Sequence, residues 1–254
     1  MATTYLDLTN EVLRELNEIP LTSANFATAI GLQKFVKDAV NKSIFDIANA
    51  EPQLPFFSAG VSGSTDPFYG NTTVATVAGQ RFYTLKDGSS SITTDFASID
   101  WDDFYITTIN VSGESSPFVS KGLKYLTLAD WRRYYRDSEN SDDADSSHGE
   151  PVYVIKSPDS RKFGLSPIPD KVYNVHFYAF TKPTALDAHG DTMALPEQYS
   201  NVVTARTRYY VWQFKESPQQ AAFALDDYKK GMRSMKSNLM NPTPKYMTDD
   251  RTYF

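Results

Sequence analysis

The sequence contains no cysteine, only three histidines and no long apolar run. Without cysteine the chain can form neither a disulfide bond nor a thiolate metal site, and it tolerates reducing and oxidising surroundings alike. No apolar stretch approaches the ~18 residues of a membrane-spanning helix. Residues 1–8 lack the basic and apolar regions of a signal peptide. We therefore expect a protein that is made in the cytoplasm and makes no membrane contact.

Catalytic and metal-binding motifs are also missing. None of His148, His176 and His189 lies three or four residues from another, so no helical metal pair is present. His176 is predicted to be a surface histidine on the polar side of a strand. Phosphate-binding loops, dinucleotide fingerprints and nucleophile elbows are absent. We predict no enzymatic activity, no cofactor and no metal site, although a glycosidase stays open because its two carboxylates can be far apart in sequence.

The composition is that of a folded, mildly acidic protein. Hydrophobic residues make up 41% of the chain, with 16 Tyr and 16 Phe, which is enough for a core. The formal charge is −6. Residues 196–254 are slightly basic, but their positive charges are too dispersed for the dense stripe of a nucleic-acid-binding protein.

Two amphipathic helices are predicted at the N-terminus. Thr4 and Asp7 have capping-box spacing, and an apolar stripe then continues at steps of three and four to Ile19, just before Pro20. A linker at 21–25 leads to a second helix of about 22 residues, which two prolines terminate. Each helix has one apolar face that needs a partner.

Two more helices are predicted near the C-terminus. One begins at Leu195–Glu197, with Pro196 as its first helical residue, and extends to about Glu216. Ser217 and Pro218 open the last helix. Its predicted apolar stripe consists of Ala221, Ala222, Leu225, Tyr228, Met232, Met235 and Leu239.

The middle of the chain has the signature of a sheet. Short runs of β-branched and aromatic residues alternate with turn residues. The predicted strands are Thr72–Val77, Arg81–Leu85, Asp103–Val111, Gly122–Leu126, Pro151–Lys156 and Lys171–Thr181. A short helix is predicted after the capping-box residues Thr127 and Asp130. The loop Asp137–Glu150 holds six acids and no Lys or Arg, so we expect it to be exposed and solvated.

These patterns predict an α+β fold. The N- and C-terminal helix pairs form a discontinuous helical bundle, into which a β-rich domain is inserted. The predicted boundaries are 1–55 and 195–241 for the bundle and 70–182 for the insert. Residues 242–254 form an extended C-terminal tail, because Pro242 and Pro244 end the last helix.

Several segments together resemble one protein family. They are the Thr-Tyr-Leu-Asp-Leu opening at 4–8, Leu-Lys-Tyr-Leu-Thr-Leu-Ala-Asp-Trp-Arg at 123–132, Phe-Gly-Leu-Ser-Pro-Ile-Pro-Asp at 163–170 and Leu-Pro-Glu at 195–197. In this order and spacing they resemble the head–tail adaptor (connector) proteins of tailed phages, a family that includes tail tubular protein A of short-tailed phages. The resemblance spans the chain apart from the loop at 137–150 and the last dozen residues.

The resemblance implies a virion structural protein at the portal vertex. Adaptors of this family form a ring, a dodecamer, beneath the portal, where they close the DNA-filled capsid and dock the tail. The implied partners are the portal protein, a tail nozzle or tail tube protein, and tail fibres. Genomic DNA would pass through the ring without specific binding, which suits an acidic protein because carboxylates repel phosphates.

Three alternatives stay open. One is another neck or tail-completion ring protein of a long-tailed phage. The second is a carbohydrate-active virion enzyme, and the third is a nucleic-acid-binding module. Within the adaptor interpretation, the tail is the candidate portal-binding site, because aromatic side chains suit the grooves of a partner. Its candidate contact residues are Lys245, Tyr246, Met247, Arg251, Tyr253 and Phe254.

Overall fold

The mixed α+β class is confirmed. The computed structural model describes residues 3–58, 72–85, 96–108, 120–136, 148–158 and 162–239. Contacts group them into two compact units. The terminal unit comprises the described residues of Met1–Phe57 and Lys182–Phe254, and the central unit those of Ser58–Thr181. A single bundle shared by the terminal helices, with the boundaries given above, stays a prediction.

Helix α1 spans Tyr5–Glu15 and begins as predicted. The Thr4 hydroxyl accepts a hydrogen bond from the Asp7 amide at 3.2 Å, and the Asp7 carboxylate accepts one from the Thr4 amide at 3.1 Å. The predicted end is wrong. The chain leaves the helix after Glu15 and turns through Asn17, whose φ is +56°. Ile19 is consequently 77% exposed and does not extend the apolar stripe.

Helix α2 spans Gly31–Ala50 and buries its apolar face. Before it, the chain forms turns that the side chain of Asn10 on α1 holds in place. This side chain donates to the Leu21 carbonyl at 2.9 Å and accepts from the Leu21 amide at 2.7 Å. The segment between the first two helices is therefore longer than the linker that the sequence indicated.

The C-terminal helices are α4, Ser200–Phe214, and α5, Pro218–Leu239. A 3-10 turn at Glu197–Tyr199 precedes α4, and Pro196 has an extended ψ of 147°, so its prediction as the first helical residue is wrong. The start of α5 agrees with its prediction. Its buried residues are Ala221, Ala224, Met232 and Met235, whereas Ala222 is exposed, contrary to the predicted stripe.

Helix α4 has the most helical neighbours in the terminal unit. It packs against α1, α2 and α5, and α1 also packs against α2. The approach of α4 to α5 is close at Gly231, where an added Cβ would lie 2.9 Å from Cγ2 of Val202. A glycine at this position lets two helices approach more closely than larger residues would.

The described residues of the central unit include a seven-stranded sheet, whose strands, numbered in chain order with the ranges given below, have the order β1-β10-β4-β5-β7-β8-β2. Its pairs are antiparallel except for the parallel pair β5–β7. The strands are β1 Thr72–Ala75, β2 Phe82–Thr84, β4 Phe104–Thr107, β5 Ser120–Leu126, β7 Tyr153–Lys156, β8 Lys162–Ser166 and β10 Asn174–Phe177. Helix α3, Leu128–Tyr134, follows β5 and has Thr127 as its N-cap, as predicted.

Two short ribbons accompany this sheet. Strand β3, Phe96–Ile99, pairs with β11, Ala179–Thr181, so the single strand predicted at 171–181 is divided between two sheets. Strand β6, His148–Gly149, pairs in parallel with β9, Ile168–Pro169. The predicted acidic loop therefore ends in ordered structure, and its residues 137–147 lie outside the described residues.

The core of the central unit is aromatic. Phe104 stacks on Phe177 with ring centroids 4.9 Å apart, and Trp101 stacks on Phe104 at 5.4 Å. Phe163 and Tyr83 extend this cluster across β8 and β2, with centroids 5.4 Å apart. Such offset and tilted ring pairs add to the free energy of burial, and they form the aromatic part of a buried cluster that also contains aliphatic side chains.

Because of the close approach at Gly231, one substitution should destabilise the natural protein but stabilise a variant with a smaller neighbour. Alanine favours a helix over glycine by about 1 kcal/mol, but its Cβ would overlap the stiff side chain of Val202, and overpacking costs about 1–3 kcal/mol. We expect Gly231→Ala to lower the free energy of unfolding by about 1 kcal/mol, measured by urea denaturation. In a Val202→Ala background the same substitution should stabilise the protein. Equal effects in both backgrounds would contradict this packing.

Candidate interaction surfaces

The portal-binding residues predicted in the tail lie outside the described residues. They are Lys245, Tyr246, Met247, Arg251, Tyr253 and Phe254. The structure therefore neither groups them nor separates them. The described surfaces that could serve a partner lie on α4 and α5, the helices that directly precede the tail.

A charged and aromatic cluster joins α2 and α4. Arg206 Nε donates to Asp46 Oδ2 at 2.8 Å, and the Tyr210 hydroxyl also donates to this carboxylate. The Arg206 guanidinium lies over the rings of Tyr210 and Tyr228, at 4.8 and 5.0 Å from their centroids. Because Tyr228 belongs to α5, one arginine connects three helices.

The surroundings of this cluster stabilise the charged form of Arg206 and the protonated form of Tyr210. Burial alone would lower the pKa of Arg206, but the hydrogen bond and charge of Asp46 outweigh it and raise that pKa. Burial, followed by the neighbouring Asp46, raises the pKa of Tyr210 to about 12. At neutral pH, Arg206 is charged and Tyr210 keeps its proton.

Arg208 forms a second connection from α4. Its guanidinium lies 3.3 Å from Glu15 on α1 and 3.8 Å from Asp227 on α5. Arg206 and Arg208 are two residues apart; Arg206 reaches α2, Arg208 reaches α1, and both also contact α5. The pair helps to set the positions of the helices that form the surface.

A shallow groove lies where α4 ends and α5 begins. Its volume is about 490 Å³ and its walls are mainly apolar. The residues that line it are Tyr209 and Gln213 on α4, Glu216 and Ser217 between the helices, and Pro218, Ala221, Ala222 and Leu225 on α5. Ala222, which belongs to the predicted apolar stripe of the last helix, is a groove residue. The groove was missed because its α4 wall could not be deduced from periodicity alone.

Phe223 is exposed on another side of α5. Its side chain is 69% accessible, the largest exposed fraction of any aromatic residue in the part of the chain that the structure describes. Asp226, Asp227 and Lys230 follow it at the helical spacing that places them on the same side. A lone exposed aromatic residue among charges is a feature of contact surfaces. The only sequence signal was that Phe223 fell outside the apolar stripe.

The prediction that His176 is a surface histidine is wrong. It is half-buried in the sheet, and its ring nitrogens lie 3.0 Å from the Thr73 hydroxyl and 2.9 Å from the Thr107 hydroxyl. Burial lowers the pKa of His176. The alternation of apolar and polar residues correctly predicted which side of the strand His176 occupies. It could not predict that threonines on β1 and β4 cover the ring.

Acidic residues with raised pKa values are few among those described. Burial, and then the charge of Asp100, raises the pKa of Asp103, and burial followed by Glu15 does so for Glu11. Each shift follows from its surroundings, with no substrate required. Within the described ranges, no three His, Asp or Glu side chains are grouped to hold a metal ion.

None of the helices in the described residues combines the length and the apolar character that crossing a bilayer requires.

A comparison with family models identifies the chain. The model described as SU10 adaptor protein matches residues 3–251. The chain belongs to the SU10 adaptor protein family. No curated protein that was compared matches it. The match supports a virion structural protein with a head–tail adaptor role, located at the head–tail junction and interacting with portal and tail components. A phage adaptor was expected from the sequence, and this coarser identification is confirmed.

The Asp46 cluster of this SU10-family adaptor should contribute measurably to stability. Removing the carboxylate in Asp46→Ala leaves the half-buried Arg206 without its hydrogen-bonded partner. We expect a loss of about 1–2 kcal/mol in the free energy of unfolding, measured by chemical denaturation. The matched control is Asp226→Ala, because the Asp226–Lys230 pair is highly exposed. That control should leave the free energy of unfolding almost unchanged, because exposed ion pairs contribute little. Equal losses would show that the cluster has no special role.

The adaptor should also lose stability at alkaline pH. Burial raises the pKa of Tyr210 to about 12 from 10.0, and burial raises that of Tyr228 as well. Between pH 10 and pH 12, Tyr210 loses its proton in the unfolded chain but keeps it in the folded protein. Its contribution to the free energy of unfolding is therefore complete below about pH 10 and lost towards pH 12. We expect Tyr210→Phe to reduce the slope of unfolding free energy against pH in this window. An unchanged slope would contradict the assignment.

Proposed function

We propose that this protein is the subunit of a ring beneath the portal, which closes the DNA-filled head and docks the tail. The family match over residues 3–251 is the observation that carries the proposal. The sequence also resembles adaptors such as tail tubular protein A, and this resemblance supports a ring of twelve subunits. The proposed partners are the portal, a tail nozzle or tube protein, and tail fibres.

The terminal unit has the properties that a ring subunit needs. Its helices are connected through Arg206 and Arg208, which should keep the outer surfaces of α4 and α5 in a defined arrangement. A bundle in which four helices share one core is the arrangement that we propose for this unit. Defined surfaces matter because a small error in one subunit contact would accumulate around a closed ring.

The charge of the protein supports a conduit for DNA. A formal charge of −6 gives a weakly repulsive wall, past which phosphates can move without being held. We propose that DNA passes through the ring without sequence-specific contacts. Binding of DNA by the purified protein with a steep salt dependence would argue against this role.

We propose that the tail at 242–254 attaches the subunit to the portal. Because proline cannot continue a helix, Pro242 and Pro244 support the proposal that the tail enters a groove of the portal in an extended form. Fixing an extended segment costs roughly 1–2 kcal/mol per residue in backbone entropy. Burying Tyr246, Tyr253 and Phe254 returns about 1.5–3 kcal/mol each. Backbone hydrogen bonds to the portal must therefore supply part of the affinity.

A truncation that ends at Asn241 tests the tail. Because the tail follows the last helix, the truncated protein should unfold with the same midpoint as the full chain. We expect it to bind portal-bearing, DNA-filled heads at least about tenfold more weakly, measured by co-sedimentation. Undiminished binding would refute the role of the tail.

Two matched tails separate its chemistry from its length. In one, Tyr246, Tyr253 and Phe254 are replaced by Ser, and in the other Lys245 and Arg251 are replaced by Ala. We expect the first to bind as poorly as the truncation and the second to bind with only a modest, salt-dependent loss. A tail whose aromatic residues can be removed without effect would be a spacer and not an anchor.

Particle morphology tests the place of the ring. Phage assembled without this protein should accumulate filled or leaking heads that carry no tails, visible by electron microscopy. Tailed particles with an altered tail end would instead indicate a tail-completion protein. Heads with complete tails that fail only on envelope polysaccharide would indicate the enzymatic alternative.

A further inference from the structure

We propose that neighbouring copies of this chain contact each other by inserting Phe223 of one copy into the α4–α5 groove of the next. The inference rests on the proposed ring, and it names the lateral contact of that ring. It commits to a second copy as the occupant of the groove. The groove and the exposed phenylalanine are both features of the described structure.

The groove suits an aromatic side chain. Its volume of about 490 Å³ leaves room for a phenyl ring, and its lining is mostly apolar. Tyr209 on one wall offers a ring to pack against, and Pro218, Ala222 and Leu225 supply small or aliphatic surface. Inserting Phe223 would take one of the most exposed apolar side chains out of water, which is the main source of affinity at such contacts.

The two features lie on different sides of one helix. Pro218, Ala222 and Leu225 recur at helical spacing and mark the groove side of α5. At 100° per residue, Phe223 lies roughly 130° around the helix from the middle of that side. A copy therefore cannot fill its own groove with Phe223. Two different surfaces in contact make a head-to-tail interface, which does not stop at a dimer and closes into a ring where the rotation between copies allows it.

The charges beside the two features are complementary. On the phenylalanine side, the exposed Asp226 and Asp227 outnumber the single lysine, Lys230, whose Nζ lies 2.6 Å from Asp226. On the groove side, Lys229 and Arg233 lie one and two turns beyond Leu225, and they outnumber Glu216, the one acid among the residues that line the groove. When Phe223 enters the neighbouring groove with both helices aligned in the same direction, the acids of one copy face the bases of the next. The reverse alignment loses this match, so charge sets the direction.

The contact is small. One phenyl ring and a few flanking charges bury much less than the about 1,200 Å² of a stable protein–protein interface. Purified copies should therefore associate weakly, and the ring should close where the portal brings many copies together. A net charge of −6 on each copy adds to this weakness.

Cysteine cross-linking can capture the weak contact, because the natural chain has no cysteine. Gln219→Cys places a thiol one turn before Phe223, and Gln213→Cys places one on the α4 wall of the groove. The two variants carry tags of different length and are mixed at high concentration under mild oxidation. We expect a disulfide-linked heterodimer in the mixture and little homodimer from either variant alone.

Direction is tested by putting one further substitution in one partner at a time. Phe223→Ser in the Gln219→Cys copy should lower the heterodimer yield about tenfold or more, whereas the same change in the Gln213→Cys copy should leave it unchanged. Ala222→Asp, which alters the groove, should lower the heterodimer yield only when it is placed in the Gln213→Cys copy. Tyr134→Ser is the matched control, since Tyr134 is similarly exposed at 64%, and it should have no effect in either copy.

Several outcomes would overturn the inference. They are equal effects of Phe223→Ser in both copies, abundant homodimer from one variant, or heterodimer that forms only after truncation at Asn241. The last would assign the groove to the tail. Binding to portal-bearing heads is measured in parallel with Phe223→Ser protein. If the two cysteine variants do not cross-link although the protein binds portal-bearing heads normally, only this contact is refuted. If they cross-link but the protein does not bind the heads, only the proposed portal role is refuted.

Discussion

Helix α4 must satisfy several neighbours at once, and the arrangement of the terminal unit depends on how it does so. The Thr207 hydroxyl on α4 is fully buried 3.1 Å from that of Ser43 on α2. Thr207 donates to the Val203 carbonyl in its own helix, and Ser43 donates to the Ala39 carbonyl. Each hydroxyl is thus satisfied locally, so burial costs little. These small side chains let α2 and α4 pack closely, while Arg206 and Arg208 connect the more exposed edges of the neighbouring helices.

Features that depend on neighbours in sequence were predictable. The capping boxes at Thr4 and Thr127 each act within one turn, and the structure shows both hydroxyls accepting the expected amide. The opening of α5 at Pro218 follows from the fixed φ of proline. Six strands of the seven-stranded sheet were predicted near their observed positions, because alternation is imposed by one buried face. Strand β8 was not predicted, since its residues 163–166 are all buried and show no alternation. The α+β class follows from these local signals alone.

Features that depend on distant partners were not predictable. Ile19 continues the apolar period, but the left-handed Asn17 had already ended the helix. His176 alternates as a surface residue, yet threonines on two other strands cover it. The parallel pairing of β5 with β7 leaves no trace in either strand. The groove belongs to this class too, since Ala222 was assigned to a stripe that α4 does not cover.

Two contacts of different strength would explain how such a ring assembles only in the right place. A tail that binds the portal raises the local concentration of subunits, so that a lateral contact too weak to act in solution becomes intramolecular in effect. Strong lateral contacts would instead let rings close before a head is filled. A single exposed aromatic residue, carried by a helix that packs against α4 and flanked by charges, keeps the lateral contact weak and directional. On this view, the exposure of Phe223 is the property that makes assembly wait for the portal.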